Sequence, residues 1–273
     1  RRSPPKFTHT KRLKLTWLHE WYNGINNSIT VKTEEFKPIG TLNYFKPNGD
    51  AIDKIQLNSI RIGGRFAYQE KFINYAFRRL SLNTKKPRLD YHYTHGFTVN
   101  GEGHNYHKAE IKLADRFYLG FTGYSEIIVF AGKIWGNLPY PLLLNHQGND
   151  SYYYDKEAFN LMNPFEFVSD QHVSAIVHHN FNGMFFNGIP LLRKLHLRSF
   201  IFARGVYGTL KGDHEKLVVL PDGLSALPKP YLEAGFGIEN IFHIIRLDFI
   251  WRLTNTDSPD IQQFGVTFDI VPS

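Results

Sequence analysis

No cysteine occurs among the 273 residues, so neither a disulfide framework nor a thiolate nucleophile or metal site can exist here. No apolar run approaches the roughly 18 to 20 residues a membrane helix needs, which excludes a helical membrane protein. The chain opens Arg1-Arg2-Ser3-Pro4, with neither an initiator Met nor an apolar leader, and reads as a mature product or a fragment. His-Glu-x-x-His is absent, and Gly63, Gly64, Gly235 and Gly237 lie in strand-like stretches rather than before a helix, where a phosphate loop would place them. Linkers, tandem repeats and low-complexity tracts are missing too, so one domain over residues 1–273 is expected.

Aromatic residues are plentiful, at 15%, with 23 Phe and 15 Tyr. That richness suits the two interfacial girdles of a membrane barrel better than a soluble domain. A mean hydropathy of −0.33 agrees, because only every second residue of a barrel strand faces lipid. The formal charge is +7, with a local cluster at Lys6, Lys11, Arg12 and Lys14. Such an excess attracts lipopolysaccharide phosphates, anionic headgroups or nucleic acid, but its spread along the chain reads first as solvated lumen and loop charge.

Alternation is sharpest from Tyr231 to Ile270. Leu232, Ala234, Phe236 and Ile238 oppose Glu233, Gly235, Gly237 and Glu239. Next, Ile245, Leu247, Phe249, Trp251 and Leu253 oppose Arg246, Asp248 and Arg252, with Ile250 breaking the pattern. Phe264, Val266, Phe268 and Ile270 then oppose Gly265, Thr267 and Asp269. Period-2 ribbons of roughly ten residues, longer than the five or six usual in a sandwich, are the pattern of strands between lipid and a wet lumen. Upstream, similar ribbons begin near Leu13, Ile60, Leu89, Ala109, Val173 and Arg198, and Asn23-Gly24 signals a hairpin. The expected fold is all-β: an antiparallel transmembrane β-barrel of about 12 visible strands, whole or part of a larger barrel. Tyr124 to Gly136 is apolar on both faces, which points to a strand beside another packed element.

Between Asn137 and Asp170 the alternation stops. Three prolines, the run Tyr152-Tyr153-Tyr154 and a helix-like patch from Lys156 to Met162 make this either an extracellular loop or a segment folded into the lumen. Tyr152, Tyr153, Tyr154 and Asp170 are its candidate functional residues. Glu233, Glu239, Arg246, Asp248 and Arg252 are candidate lumen charges, read either as a polar conduit or as a mutually neutralising ladder.

Chemistry beyond this is sparse. His178-His179 cannot chelate one ion from a regular strand, because neighbours point to opposite faces. His104 and His107 read as loop residues without an acidic partner. Gly123-Tyr124-Ser125-Glu126-Ile127 lacks the second glycine of a nucleophile elbow. No catalytic residue, metal or cofactor is therefore expected, and no nucleic-acid partner.

Several longer motifs carry a resemblance: Ala158-Phe159-Asn160-Leu161-Met162-Asn163, Glu166-Phe167-Val168-Ser169-Asp170, His178-His179-x-Phe181-x-Gly183, Ile189 to Leu195, and Lys229 to Leu253 with Arg246-Leu247-Asp248 and Trp251-Arg252-Leu253. Dense from about Ile60 to Ile270, they resemble an uncharacterised Bacteroidota outer-membrane family with a carboxypeptidase-regulatory-like N-terminal domain and a C-terminal barrel. The final Gly-x-Gly-Ile strand with Arg246-Leu247-Asp248 is also similar to the surface-antigen superfamily, whose members insert or translocate outer-membrane proteins. The resemblance implies an integral outer-membrane protein, in contact with lipid and lipopolysaccharide and with other outer-membrane proteins or lipoproteins, and lacking its N-terminal domain here. It assigns no site residues.

Overall fold

The period-2 ribbons become eleven antiparallel strands in one sheet, in a computed structural model that describes residues 7–21, 24–39, 43–67, 71–75, 78–82, 87–101, 103–149, 151, 153–211, 213–221, 223–257 and 261–270. Lys6, Asn23 and Tyr152 lie outside the described residues. The strands are β1 (Phe7–Glu20), β2 (Ile25–Ile39), β3 (Ile55–Ala67), β4 (Arg88–Phe97), β5 (Tyr106–Tyr118), β6 (Tyr124–Trp135), β7 (Gln171–Asn180), β8 (Arg198–Thr209), β9 (Tyr231–Ile241), β10 (Ile245–Arg252) and β11 (Phe264–Ile270). Each pairs with the next in the chain, so the sheet is an up-and-down meander close to the expected twelve strands. Shorter two- and three-residue strands and a separate hairpin, Lys71–Tyr75 with Arg78–Leu82, lie in the connections. Among the described residues β1 and β11 each have one strand partner in the sheet, which is open between them.

Register turns the alternation into two faces. Trp17 pairs with Ile29, Ile29 with Ile62 and Ile62 with Tyr93. Further along, Ile201 pairs with Phe236, Phe236 with Phe249 and Phe249 with Val266. These side chains form one exposed apolar face across the whole sheet. On a water-soluble protein so large an apolar surface would be an association site; here it is the lipid-facing side of a barrel wall. Where it meets the rim, Tyr93 bonds His107 at 2.7 Å, His107 stacks on His95, and Lys133 lies over Trp135. Such rings with one wet end belong at a membrane–water interface. His107 is thus a strand residue rather than the loop residue expected, whereas His104 does sit in a connection.

By chain order the connections 40–54, 98–105, 136–170, 210–230 and 253–263 share one rim, and 21–24, 68–87, 119–123, 181–197 and 242–244 share the other, so each rim carries both long and short connections. At the hairpin 21–24, Trp21 N–H reaches Ile25 O at 2.8 Å, and Gly24 has a φ of 75°. A Cβ there would also lie 2.0 Å from the Ala67 carbonyl, so the turn takes glycine on two grounds. An apolar cluster packs at the rim that carries 136–170, where Ile55, Leu57, Tyr106 and Ile134 from strand ends bury Tyr44, Leu138, Leu144 and Leu224 from the connections. Burial within it raises the Tyr44 and Tyr140 phenols above their ordinary range.

Candidate functional site: a segment latched inside the sheet

The 136–170 connection does not extend outward; it lies across the inner face from β5 to β11. Its anchors come from successive strands. Lys112 of β5 bonds Glu157 at 2.5 Å, and Glu126 of β6 holds Lys156 and the guanidinium of Arg116. On β8, Arg204 donates to the Ala158 carbonyl, to the Asp155 carbonyl at 3.1 Å and to the Tyr154 hydroxyl at 2.5 Å. Glu233 of β9 accepts from Asn160 N–H at 3.0 Å, Leu161 N–H at 2.7 Å and the Tyr231 hydroxyl at 2.6 Å. Arg252 of β10 grips Glu166 at 2.6 and 3.1 Å and the Leu161 carbonyl at 3.3 Å. Finally Tyr154 N–H donates to the Phe268 carbonyl of β11 at 3.0 Å, with Tyr153 against the Phe268 ring.

Arg204 and Glu233 are each only 1% exposed. A buried charge persists when its hydrogen-bonding capacity is met, and here backbone of the inner segment meets much of it. This explains why Lys156 to Met162 is not the helix its composition suggested. An α-helix would spend those amides and carbonyls on itself; instead Glu233 takes the amides and Arg204 the carbonyls, leaving a chain of turns. Apolar contacts complete the latch. Phe159, Met162 and Phe167 pack on Val206 and Tyr231, and Leu161 packs on Phe200, Phe202 and Ile250. Ile250, the exception to the alternation, is an inner-face residue filling that contact. The doubly apolar β6 has the same cause: Leu144 of the segment lies against its inner face at Gly132.

Two glycines make room for the packing. A Cβ at Gly235 would come within 2.5 Å of Phe202 Cζ, and one at Gly237 within 2.3 Å of Phe200 Cζ, so each ring lies flat on a side-chain-free patch of β9.

The candidate lumen charges are not a single ladder. Glu233 and Arg252 face each other in register, yet both turn to the inner segment. Arg246 and Asp248 form a buried pair on β10 at 2.7 Å, with the guanidinium 4.0 Å from the Tyr154 and Phe200 ring centres. Glu239 accepts from Asn180 at 2.6 Å. Among the other candidates, Tyr153 is 56% exposed at the segment tip. Asp170 is buried where the segment enters β7, accepting from Lys211 N–H at 2.9 Å. Sequence reading gave Arg204 and Glu166 no role: Arg204 was a charged side chain in a strand, and Glu166 stood only within a resemblance motif.

Below the segment tip a cavity of about 610 Å³ opens, lined by Arg116, Glu126, Tyr154, Lys156, His178 and Arg246 among others. His178 faces this cavity side while His179 faces outward, as strand geometry requires. On the outer face Ser125 Oγ lies 2.8 Å from His179 Nδ1, and His179 Nε2 lies 3.1 Å from the Thr122 carbonyl. The third member is a carbonyl rather than an acid, and β6 is paired on both sides, so its amides serve the ladders rather than an oxyanion. Among the described residues no three His or acidic side chains cluster to hold a metal.

Residues 6–215 match the family described as "Family of unknown function (DUF5686) C-terminal domain". The chain belongs to that family. No curated protein matches it. This DUF5686 domain is similar in fold to the crystal structure of BamA from Haemophilus ducreyi lacking POTRA domains 1-3, with a TM-score of 0.58 and 13% identity over 97% of this chain and 55% of that one. The chain thus spans about half of that BamA chain, and at this identity the likeness is one of barrel fold.

Proposed function

We propose that the chain is the membrane-embedded part of a non-enzymatic integral outer-membrane protein of a Gram-negative bacterium, acting in an envelope assembly, protein-export or transport complex. The observation that carries this reading is the inner segment, fastened to β8, β9 and β10 by buried Arg204, Glu233 and Arg252. A passive scaffold has no need of ionised groups inside its wall, which cost free energy unless every partner is in place. An element held mainly through side-chain-to-backbone bonds can be released as a unit when a partner or client competes for them.

The fold likeness to BamA supports an outer-membrane location, and the motif resemblance supports a Bacteroidota source with a carboxypeptidase-regulatory-like domain upstream. Outer-membrane lipid, lipopolysaccharide and other outer-membrane proteins or lipoproteins are the partners on this reading. A passive channel or anchor presenting 137–170 to a partner is the alternative, and the inward placement of that segment weighs against it. Depleting the protein and quantifying other outer-membrane proteins tests the proposal. Their levels fall if it holds, and unchanged levels would count against an assembly role.

A further inference from the structure

The inner segment spans β5 to β11, and the inner wall of β1 to β4 has a different character. Side chains there follow from register: Lys14 faces Lys32, Arg12 faces Glu34, Thr30 faces Arg61, and Arg65 faces Asp90. Six cations, Arg12, Lys14, Lys32, Arg61, Arg65 and Arg88, share this wall with three carboxylates, Glu20, Glu34 and Asp90. Like charges directly opposite on neighbouring strands are unfavourable, and Lys14 and Lys32 are such a pair. Lys32 is drawn off to Glu34 at 2.5 Å, and Lys14 has no ion-pair partner among the described residues. Arg12 and Arg61 keep 55% and 40% of their side chains accessible despite their ion pairs. Between these cations stand Thr16, Ser28, Thr30, Ser59 and Thr94. Short hydroxyl side chains offer hydrogen bonds and no surface for acyl tails.

We infer that the β1–β4 inner wall is a binding surface for a soluble, phosphate-bearing polyanion. Guanidinium forks and ammonium groups on strands about 4.8 Å apart match closely spaced phosphate charges. Leu18, opposite Ser28, is the one exposed large apolar side chain on this wall among the described residues, and a single leucine offers too little surface to hold the acyl tails of a phospholipid. The inference rests on the barrel reading, since it makes this wall part of a lumen.

The test is calorimetric titration of the detergent-purified full-length protein with inorganic tripolyphosphate. Binding should weaken as salt rises, and Lys14→Glu with Lys32→Gln should lower affinity at least about tenfold. Lys11→Glu with Lys37→Glu changes the outer face of the same strands and should leave affinity within about twofold. Lys14→Gln alone, the mildest change on an exposed edge strand, should still lower it measurably. Three results would overturn the inference: no tripolyphosphate binding by the wild type, equal losses in the inner and outer variants, or binding of a polyglutamate peptide in its place. Each leaves the barrel reading standing if the wild-type protein keeps a heat-dependent shift in gel mobility, and loss of that shift counts against the barrel itself.

Discussion

Glu233 is a buried acceptor for the inner segment, with two segment amides and the phenol of Tyr231 on one carboxylate. Glu233→Ala strands those donors and leaves Arg204 and Arg252 without their nearest inner-face acid on β9. It should cost about 3 kcal/mol or more, read from urea unfolding of the refolded protein, and Glu233→Gln should cost less. His146 gives a pH-dependent counterpart. It lies off the strands, with Nε2 2.9 Å from Ser169 Oγ and its ring edge-on to His172. Burial, helped by His172, pushes its pKa down to about 3. The unfolded chain takes up a proton on this histidine as pH falls through about 6.5, while the folded chain does not until about 3, so folding loses stability across that window. Unfolding midpoints measured from pH 7 to 4 should therefore fall more steeply for the wild type than for His146→Gln. Parallel slopes would mean that this ring is protonated in the folded protein.

At the scale of elements, the strands were legible and the segment's binding was not. Alternation and register are local or pairwise, so Tyr231 to Ile270 could be assigned to faces from its side chains alone. The latch is neither local nor periodic: Arg204 reaches carbonyls nearly fifty residues away, and Arg252 reaches Glu166 across 86. Ile250, apolar on a charged face, the doubly apolar β6 and the break in alternation between Asn137 and Asp170 hinted that something covers the inner wall, without naming its contacts. The glycines were legible as strand residues outside any phosphate loop, but not as the places where Phe200 and Phe202 approach the sheet. Gly235→Val drives a side chain into Phe202 and the Phe249 carbonyl, and should destabilise by about 1–3 kcal/mol. The segment itself should act as an obstruction. Replacing residues 149–160 with a short Gly-Ser loop should raise single-channel conductance several-fold over the wild type in planar bilayers. Equal conductance would show that the segment does not block a path.

For the whole molecule, the central claim is that one face of this sheet meets lipid and the other encloses water and the inner segment. Exposed Trp17, Ile62, Ile201, Phe236 and Val266 on one side, against buried Arg204, Glu233 and Asp248 on the other, leave little room for a soluble sandwich, whose core would be apolar. The fold class could be read from alternation because lipid and water impose opposite demands on successive residues. The gap between β1 and β11 could not, since closure depends on pairing between distant strands. The most direct test is gel mobility of the detergent-extracted protein with and without boiling, alongside circular dichroism. A β spectrum with a heat-dependent shift is the expected result. Extraction without detergent, with no shift, would contradict the account.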